Sequence, residues 1–375
     1  MATTGLEVLG GTVLNRALLA RQLLLERVRR PAAEVLAHLV GLQAQAPDAP
    51  YFGLWSRLRG FRPEELSALL TGRAAVRATM MRGTLHAVTS ADCLAFRMLA
   101  QPILERQVRT QTDYDGRRVA GVRVPEVLAA GVEWLTEAPR TPAELRVLCA
   151  ARWPGHDAEQ LSYTARALLP TVQVPPRGVW GASGAARLST VAAWLGEPVH
   201  LEPDPAALVL RYLAAFGPAT VADVATWSGR AAVRPVLDAL RPQLLVFADE
   251  RGRELFDLPD APRPPADTPA PVRLVAPYDN VVLAHADRAR VVPEEHRARL
   301  LSKNGIVPGT VLVDGFVQGV WQVARRGGGP VRLTVRPFRR LPARWAAQLR
   351  REAALAAEFA AGGGGAVELV VEEPG

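Results

Sequence analysis

Between Pro203 and Pro259 the apolar positions recur first at helical and then at strand-like spacing. Leu208, Tyr212 and Leu213 predict a helix over residues 206–216. Gly217-Pro218 ends it, Thr220 can cap a short helix over 221–227, and Ser228-Gly229 breaks that one. Val233, Val236, Leu237 and Leu240 share one face of a third helix, over 231–240. The runs 244–248 and 254–258 flank the charged turn Asp249-Glu250-Arg251-Gly252 and read as a hairpin. Helix, short helix, turn, helix, hairpin is the order of a winged helix, a helix-turn-helix variant.

The same order recurs upstream. Helices are expected over 125–136, from Thr141-Pro142-Ala143-Glu144 onward, and over 157–169, followed by a strand over 171–174 and a glycine-bearing arm over 175–188. A weaker version opens the chain, with helices near 15–29, 31–45 and 63–71. A strand pair over 76–89 turns at Arg82-Gly83, and a helix over 91–109 follows. From Thr268 the texture changes to strands at 272–276, 280–285, 310–313, 316–324 and 331–337, then a helix over 342–360 and a strand over 367–372. The expected architecture is α+β: tandem winged-helix modules over 1–120, 121–200 and 201–262, and a β-rich domain over 268–375. The modules read as degenerate repeats of roughly 90 residues, and Pro259–Pro271 reads as a linker.

At 375 residues and 49% apolar composition, the chain can bury a substantial core without disulfides. Its only cysteines, Cys93 and Cys149, sit in apolar helical contexts and read as core residues. No signal peptide pattern and no membrane-length apolar run is present, so a soluble cytoplasmic protein is expected. The six histidines form no metal-ligand spacing, and phosphate-loop, dinucleotide and nucleophile-elbow signatures are missing; neither metal nor cofactor is expected. The net charge is +8, carried by arginine, for Lys303 is the only lysine. Residues 1–120 hold sixteen arginines against ten acids, and residues 325–351 hold nine arginines and no acid. That segregation makes DNA the expected partner.

Four groups of residues are candidates for chemistry. Gln43 and Gln45 end the second predicted helix, Gln43 on the same face as Leu36, Leu39 and Val40. They either cap its last carbonyls or converge on a cleft. Arg82 and His86 flank a tight turn that can present them to a phosphate backbone, or they are a solvated arginine and a packed histidine. Asp279, in Pro277-Tyr278-Asp279-Asn280, is a catalytic carboxylate or an Asx-turn residue. Arg325, Arg326, Arg332 and Arg336 lie on a predicted hairpin whose small, basic tip can probe a nucleic-acid groove.

Gly41-Leu42-Gln43-Ala44-Gln45-Ala46-Pro47 with Tyr51-Phe52-Gly53-Leu54-Trp55 resembles the winged-helix DNA glycosylases of the AlkZ/YcaQ family. Arg82-Gly83-Thr84-Leu85-His86, Pro277–Asn280 with Asp287-Arg288, and Val313-Asp314-Gly315 with Gly319-Val320-Trp321 agree in order, so the resemblance covers nearly the whole chain. It implies catalysis by the Gln-apolar-Gln motif, Gln43 and Gln45, with Asp279 and Trp321 as candidate supporting residues. It also implies a monomer that excises bulky N7-alkylguanine adducts, or unhooks crosslinks, from double-stranded DNA in repair and self-resistance. Such a base is cationic and leaves neutral, so no general acid is needed. Two amides can then orient water at C1′ and stabilise the positive charge that develops there. With a single lysine, hydrolysis without a Schiff base is expected. The competing expectation is a winged-helix transcriptional regulator that binds DNA without chemistry.

Overall fold

The computed structural model describes residues 5–300, 305–325, 330–362 and 365–373, and these form a mixed α+β protein. An antiparallel sheet of five strands runs in the order Leu42–Gln43, Leu85–Thr89, Ala75–Thr79, Thr171–Val174, Arg187–Thr190, so it draws strands from both sides of residue 120. A second five-stranded sheet takes Arg273–Val275, Gly309–Val313, Phe316–Arg325, Val331–Pro337 and Val367–Val371. Its last two strands are parallel, and the helix Ala343–Ala360 makes the crossover between them. Residues 205–257 contain the helices Pro205–Phe216, Val221–Ser228 and Arg234–Leu240, then the hairpin Leu245–Asp249 and Glu254–Asp257. Thr220 caps the second of these helices by accepting from Asp223 N. Val8–Leu9 adds to that hairpin as a parallel third strand.

Several sequence readings are corrected, among them the helix expected near 15–29, which is Gly11–Arg21. The helix expected over 31–45 stops at His38, because Val40 and Gly41 take left-handed backbone angles (φ 54° and 89°) and the chain re-enters as a strand. Gly41 is required there, since a Cβ would lie 2.4 Å from Val88 Cγ1 and 2.8 Å from the Ala87 carbonyl. The strand expected over 280–285 is the short helix Asn280–Leu283, started by Asp279, whose carboxylate accepts from Val281 N at 2.9 Å. The helix expected over 91–109 is present in two pieces, Ser90–Phe96 and Gln101–Gln111, with Pro102 in the first turn of the second.

Burial joins the two ends of the chain. Val35, Leu36, Phe52 and Trp55 share a core with Leu274, Val311, Trp321, Leu333 and Leu349. Phe52, Trp55, Phe61 and Trp180 all ring-pack against Phe359 at the far end of the helix Ala343–Ala360. The segment from Val108 to Leu169 has a core of its own, which contains Cys149, while Cys93 is buried in the larger core. Among the described residues no helix is long and apolar enough to cross a membrane.

Candidate active site

Gln43 closes the two-residue strand Leu42–Gln43 opposite His86. The backbone just beyond it is pinned from both sides, for Ala44 N donates to Leu85 O at 2.7 Å and Arg77 Nη2 donates to Ala44 O at 3.0 Å. The chain then leaves the sheet and turns at Pro47-Asp48 into the helix Ala49–Trp55. Gln43 is therefore buried at the sheet edge and Gln45 is exposed beyond it. Both line one open cleft with Thr79, Thr84, Gln173 and Tyr278. Among the described residues that line it there is no carboxylate, histidine or lysine.

The turn after Thr79 does not present Arg82 outward. Arg82 and Gly83 are both left-handed (φ 59° and 68°), which swings the guanidinium inward beneath Gln43. Arg82 Nη2 donates to Gln43 Oε1 at 2.9 Å and to Asn280 Oδ1 at 3.0 Å, and Nη1 donates to Trp227 O at 3.0 Å. All three acceptors are neutral. Burial, followed by the charge of Arg288, lowers the Arg82 pKa to about 10, so it stays cationic at neutral pH. Gly229 leaves room for this turn, since a Cβ there would stand 3.0 Å from Arg82 Cα.

His86 is fully buried rather than displayed at the turn. Its Nδ1 donates to Thr84 O at 2.9 Å and its Nε2 has no partner among the described residues. Burial first, and the neighbouring Arg82 second, hold its pKa down at about 3, so the imidazole is neutral. It is a sheet residue and not a phosphate ligand at the surface.

Asp279 has no free oxygen to offer the cleft. Arg57 grips it with two hydrogen bonds, Nη1 to Oδ2 at 2.8 Å and Nη2 to Oδ1 at 2.9 Å, and Oδ1 also caps the helix that follows. Both side chains are sealed, at 0% and 1% exposure. The pair ties Pro277–Asn280 to the first helices, which is how Tyr278 and Asn280 reach the glutamines. Trp321 is likewise internal. Its Nε1 donates to Val275 O at 2.8 Å, and Gly309 lies flat under its ring.

The arginine-rich stretch is less free in space than in sequence. Arg325 pairs with Asp48, three residues past Gln45, and lies over the Trp180 ring at 4.8 Å, which fastens the hairpin beside the cleft. Arg332 meets Glu368 at 2.7 Å and Arg336 meets Glu372, the first acid on the last, parallel strand and the second just past its end. Arg326 and Lys303 lie outside the described residues.

Sequence reasoning passed over Arg77, Gln173 and Asn280. Asn280 follows Asp279 directly, and among the described residues its buried Nδ2 has no partner; the Gln173 Oε1 beside the cleft is likewise buried and unpaired among them. Nothing in the spacing of Arg77 or Gln173 signals that they face each other across two strands. Among the described residues no group of histidine, cysteine and acidic side chains is placed to hold a metal ion.

A family model described as "DNA glycosylase AlkZ-like" matches residues 36–361. The chain is 26% identical over 348 residues to an interstrand DNA cross-link repair glycosylase of Streptomyces sahachiroi, covering 85% of this chain and 88% of that protein. Its fold is similar to the solved structure of the Streptomyces sahachiroi DNA glycosylase AlkZ, with a TM-score of 0.74, 21% identity, and coverage of 97% of this chain and 99% of that one.

Proposed function

Because the chain belongs to the AlkZ-like DNA glycosylase family, we propose that it hydrolyses the N-glycosidic bond of N7-alkylguanine in double-stranded DNA. Its natural substrates are bulky genotoxin adducts or crosslinks, removed in repair and self-resistance, and it acts as a monomer. The observation that carries the reading is the make-up of the cleft: among the described residues its polar side chains are two glutamines, two threonines, a third glutamine and a tyrosine, with no proton donor of carboxylic strength. Such a site cannot protonate a neutral base. It suits a lesion that is already cationic, where the C1′–N9 electron pair moves into the base and leaves it neutral. Water bonds to C1′ and passes its proton to solvent, and that addition needs placement more than a strong base. Gln43 and Gln45 are the groups proposed to place water and lesion.

The helix, helix, helix and hairpin series in residues 205–257 supports reading 201–262 as a winged helix ahead of the β-rich 268–375. The winged-helix modules proposed over 1–120 and 121–200 share one five-stranded sheet, so they are proposed as a joined pair. Arg325, Arg326, Arg332 and Arg336 are the proposed backbone contacts. The ion pairs of Arg325, Arg332 and Arg336 are surface pairs that hold weakly, so phosphate can compete for them. Family membership speaks against a regulator that binds DNA without chemistry. The test is base release from duplexes carrying either N7-methylguanine or the neutral lesion hypoxanthine, scored by hot-alkali cleavage at the abasic product. Release of the cationic base only is expected. Equal release of both would require an acid that the described residues of the cleft do not supply, and no release from either would refute the glycosylase reading.

A further inference from the structure

We infer that Gln43 serves the departing base as a hydrogen-bond donor and is held and polarised for that task by Arg82; this rests on the glycosylase reading above. A guanidinium can only donate, so the amide atom turned toward Arg82 Nη2 at 2.9 Å is the Gln43 carbonyl oxygen. The other end of the same amide, Nε2, is left without a partner among the described residues, in a side chain that lines the cleft. Gln43 is thus fixed with its N–H groups available to the substrate. A free glutamine has two equivalent flips; this one has a single orientation.

The charge behind the amide decides which part of the substrate it serves. Among the described residues Arg82 contacts three neutral oxygens and no carboxylate, so its positive charge is not cancelled locally. A cation on the carbonyl side draws electron density through the amide and strengthens its N–H as a donor. Beside C1′, where positive charge grows, such a donor is repelled. Beside the guanine ring it is attracted, because that ring receives the electron pair of the breaking C1′–N9 bond. Its acceptors O6 and N3 become stronger as it does so. Gln45, two residues on, is exposed and has no hydrogen-bond partner among the described residues, and it remains for the water and sugar side. Arg82 is therefore a positioning residue that acts through Gln43. Arg77 holds the same segment by its Ala44 carbonyl, which keeps the strand edge from drifting away from the turn.

Gln43→Glu separates this reading from its rival. The glutamate keeps the shape, can meet Arg82 as an ion pair, and loses the N–H. If Gln43 donates to the base, single-turnover release of N7-methylguanine at pH 7.5 should fall on the order of 10²-fold, the usual loss for one donor aimed at developing charge. Affinity for the same duplex and the melting temperature should hold. If Gln43 accepts from water, the carboxylate is a better acceptor and the rate should match or exceed wild type, which overturns the inference. A clear fall in melting temperature also overturns it, because a carboxylate facing Arg82 should not destabilise the fold. Arg82→Met should slow release on the order of 10-fold with duplex affinity unchanged, and Arg82→Lys should recover part of that rate. Arg82→Met at the wild-type rate refutes the polarisation. A wild-type protein that releases no base defeats the glycosylase reading instead, and the wild-type arm shows which has failed.

Discussion

Replacing Asp279 with asparagine separates a carboxylate that does chemistry from one that holds a fold. The substitution keeps the shape and the helix cap but removes the charge, and it turns an amide N–H toward a guanidinium that can only donate. Arg57 is 0% exposed, so it has no water to turn to. It retains Gly53 O, Ser56 Oγ and Gln22 Oε1 as neutral acceptors. Removing one partner of a sealed ion pair costs about 3–5 kcal/mol. At about 2.1 cal/mol/K per residue, a chain of 375 residues unfolding as one unit has an entropy of about 0.8 kcal/mol/K. A loss of 4 kcal/mol then lowers Tm by about 5 °C. Urea titration and differential scanning calorimetry measure the loss, and single-turnover release at 20 °C measures the chemistry. The folded variant should release N7-methylguanine within about threefold of wild type, well short of the loss for a group that stabilises the transition state. The double variant Arg57→Met/Asp279→Asn should be less destabilised than the sum of the single changes, since it removes the stranded charge. A variant with unchanged stability and release slowed by orders of magnitude would refute the reasoning and return Asp279 to the cleft.

Three further outcomes are expected. His86 is neutral in the fold, with a pKa of about 3 against about 6.5 when unfolded, so the unfolded chain binds the extra proton first. Its contribution is full above pH 6.5 and is lost as pH falls toward 3, by about 1.4 kcal/mol per unit. His86→Phe should flatten the slope of unfolding free energy between pH 6.5 and 5, and an unchanged slope would rule His86 out as its source. Gly41→Ala must place a methyl within 2.8 Å of the Ala87 carbonyl at a left-handed φ. Denaturant unfolding should show a loss of several kcal/mol, and a loss under 1 kcal/mol would mean that the strand edge adapts. Borohydride should trap no covalent DNA complex and Lys303→Ala should still release base; trapping through Lys303 would disprove hydrolysis without a Schiff base.

Much of the fold was legible because it rests on local pattern. The helices and hairpin of 205–257 follow apolar spacing and the caps at Thr220 and Gly229, and the strands from 309 onward follow alternation. The misreadings share a cause, which is long-range contact. Gln43 lies on a helical face by count, but the close approach of Gly41 to Val88 unwinds that helix into a strand edge. Asp279 read as a catalytic carboxylate or an Asx-turn residue, and it does accept from Val281 N, but its ion-pair partner Arg57, 222 residues away, left no local signal. The run of nine arginines without an acid looked bare because Glu368 and Glu372 meet it only through a parallel strand delivered by a crossover helix. The two glutamines were visible in sequence as an oddity of residue type. Arg82, whose side chain holds one of them, was legible as a turn arginine facing phosphate or solvent, and its inward bond to Gln43 was not.

The central claim is that Gln43 and Gln45 carry the chemistry. Its most direct test is single-turnover release of N7-methylguanine from a duplex by Gln43→Ala, Gln45→Ala and the double variant, with binding to the same duplex measured in parallel. Each single change should slow release on the order of 10²-fold and the double change should reduce it to background, with affinity preserved. Release at the wild-type rate by the double variant would contradict the account.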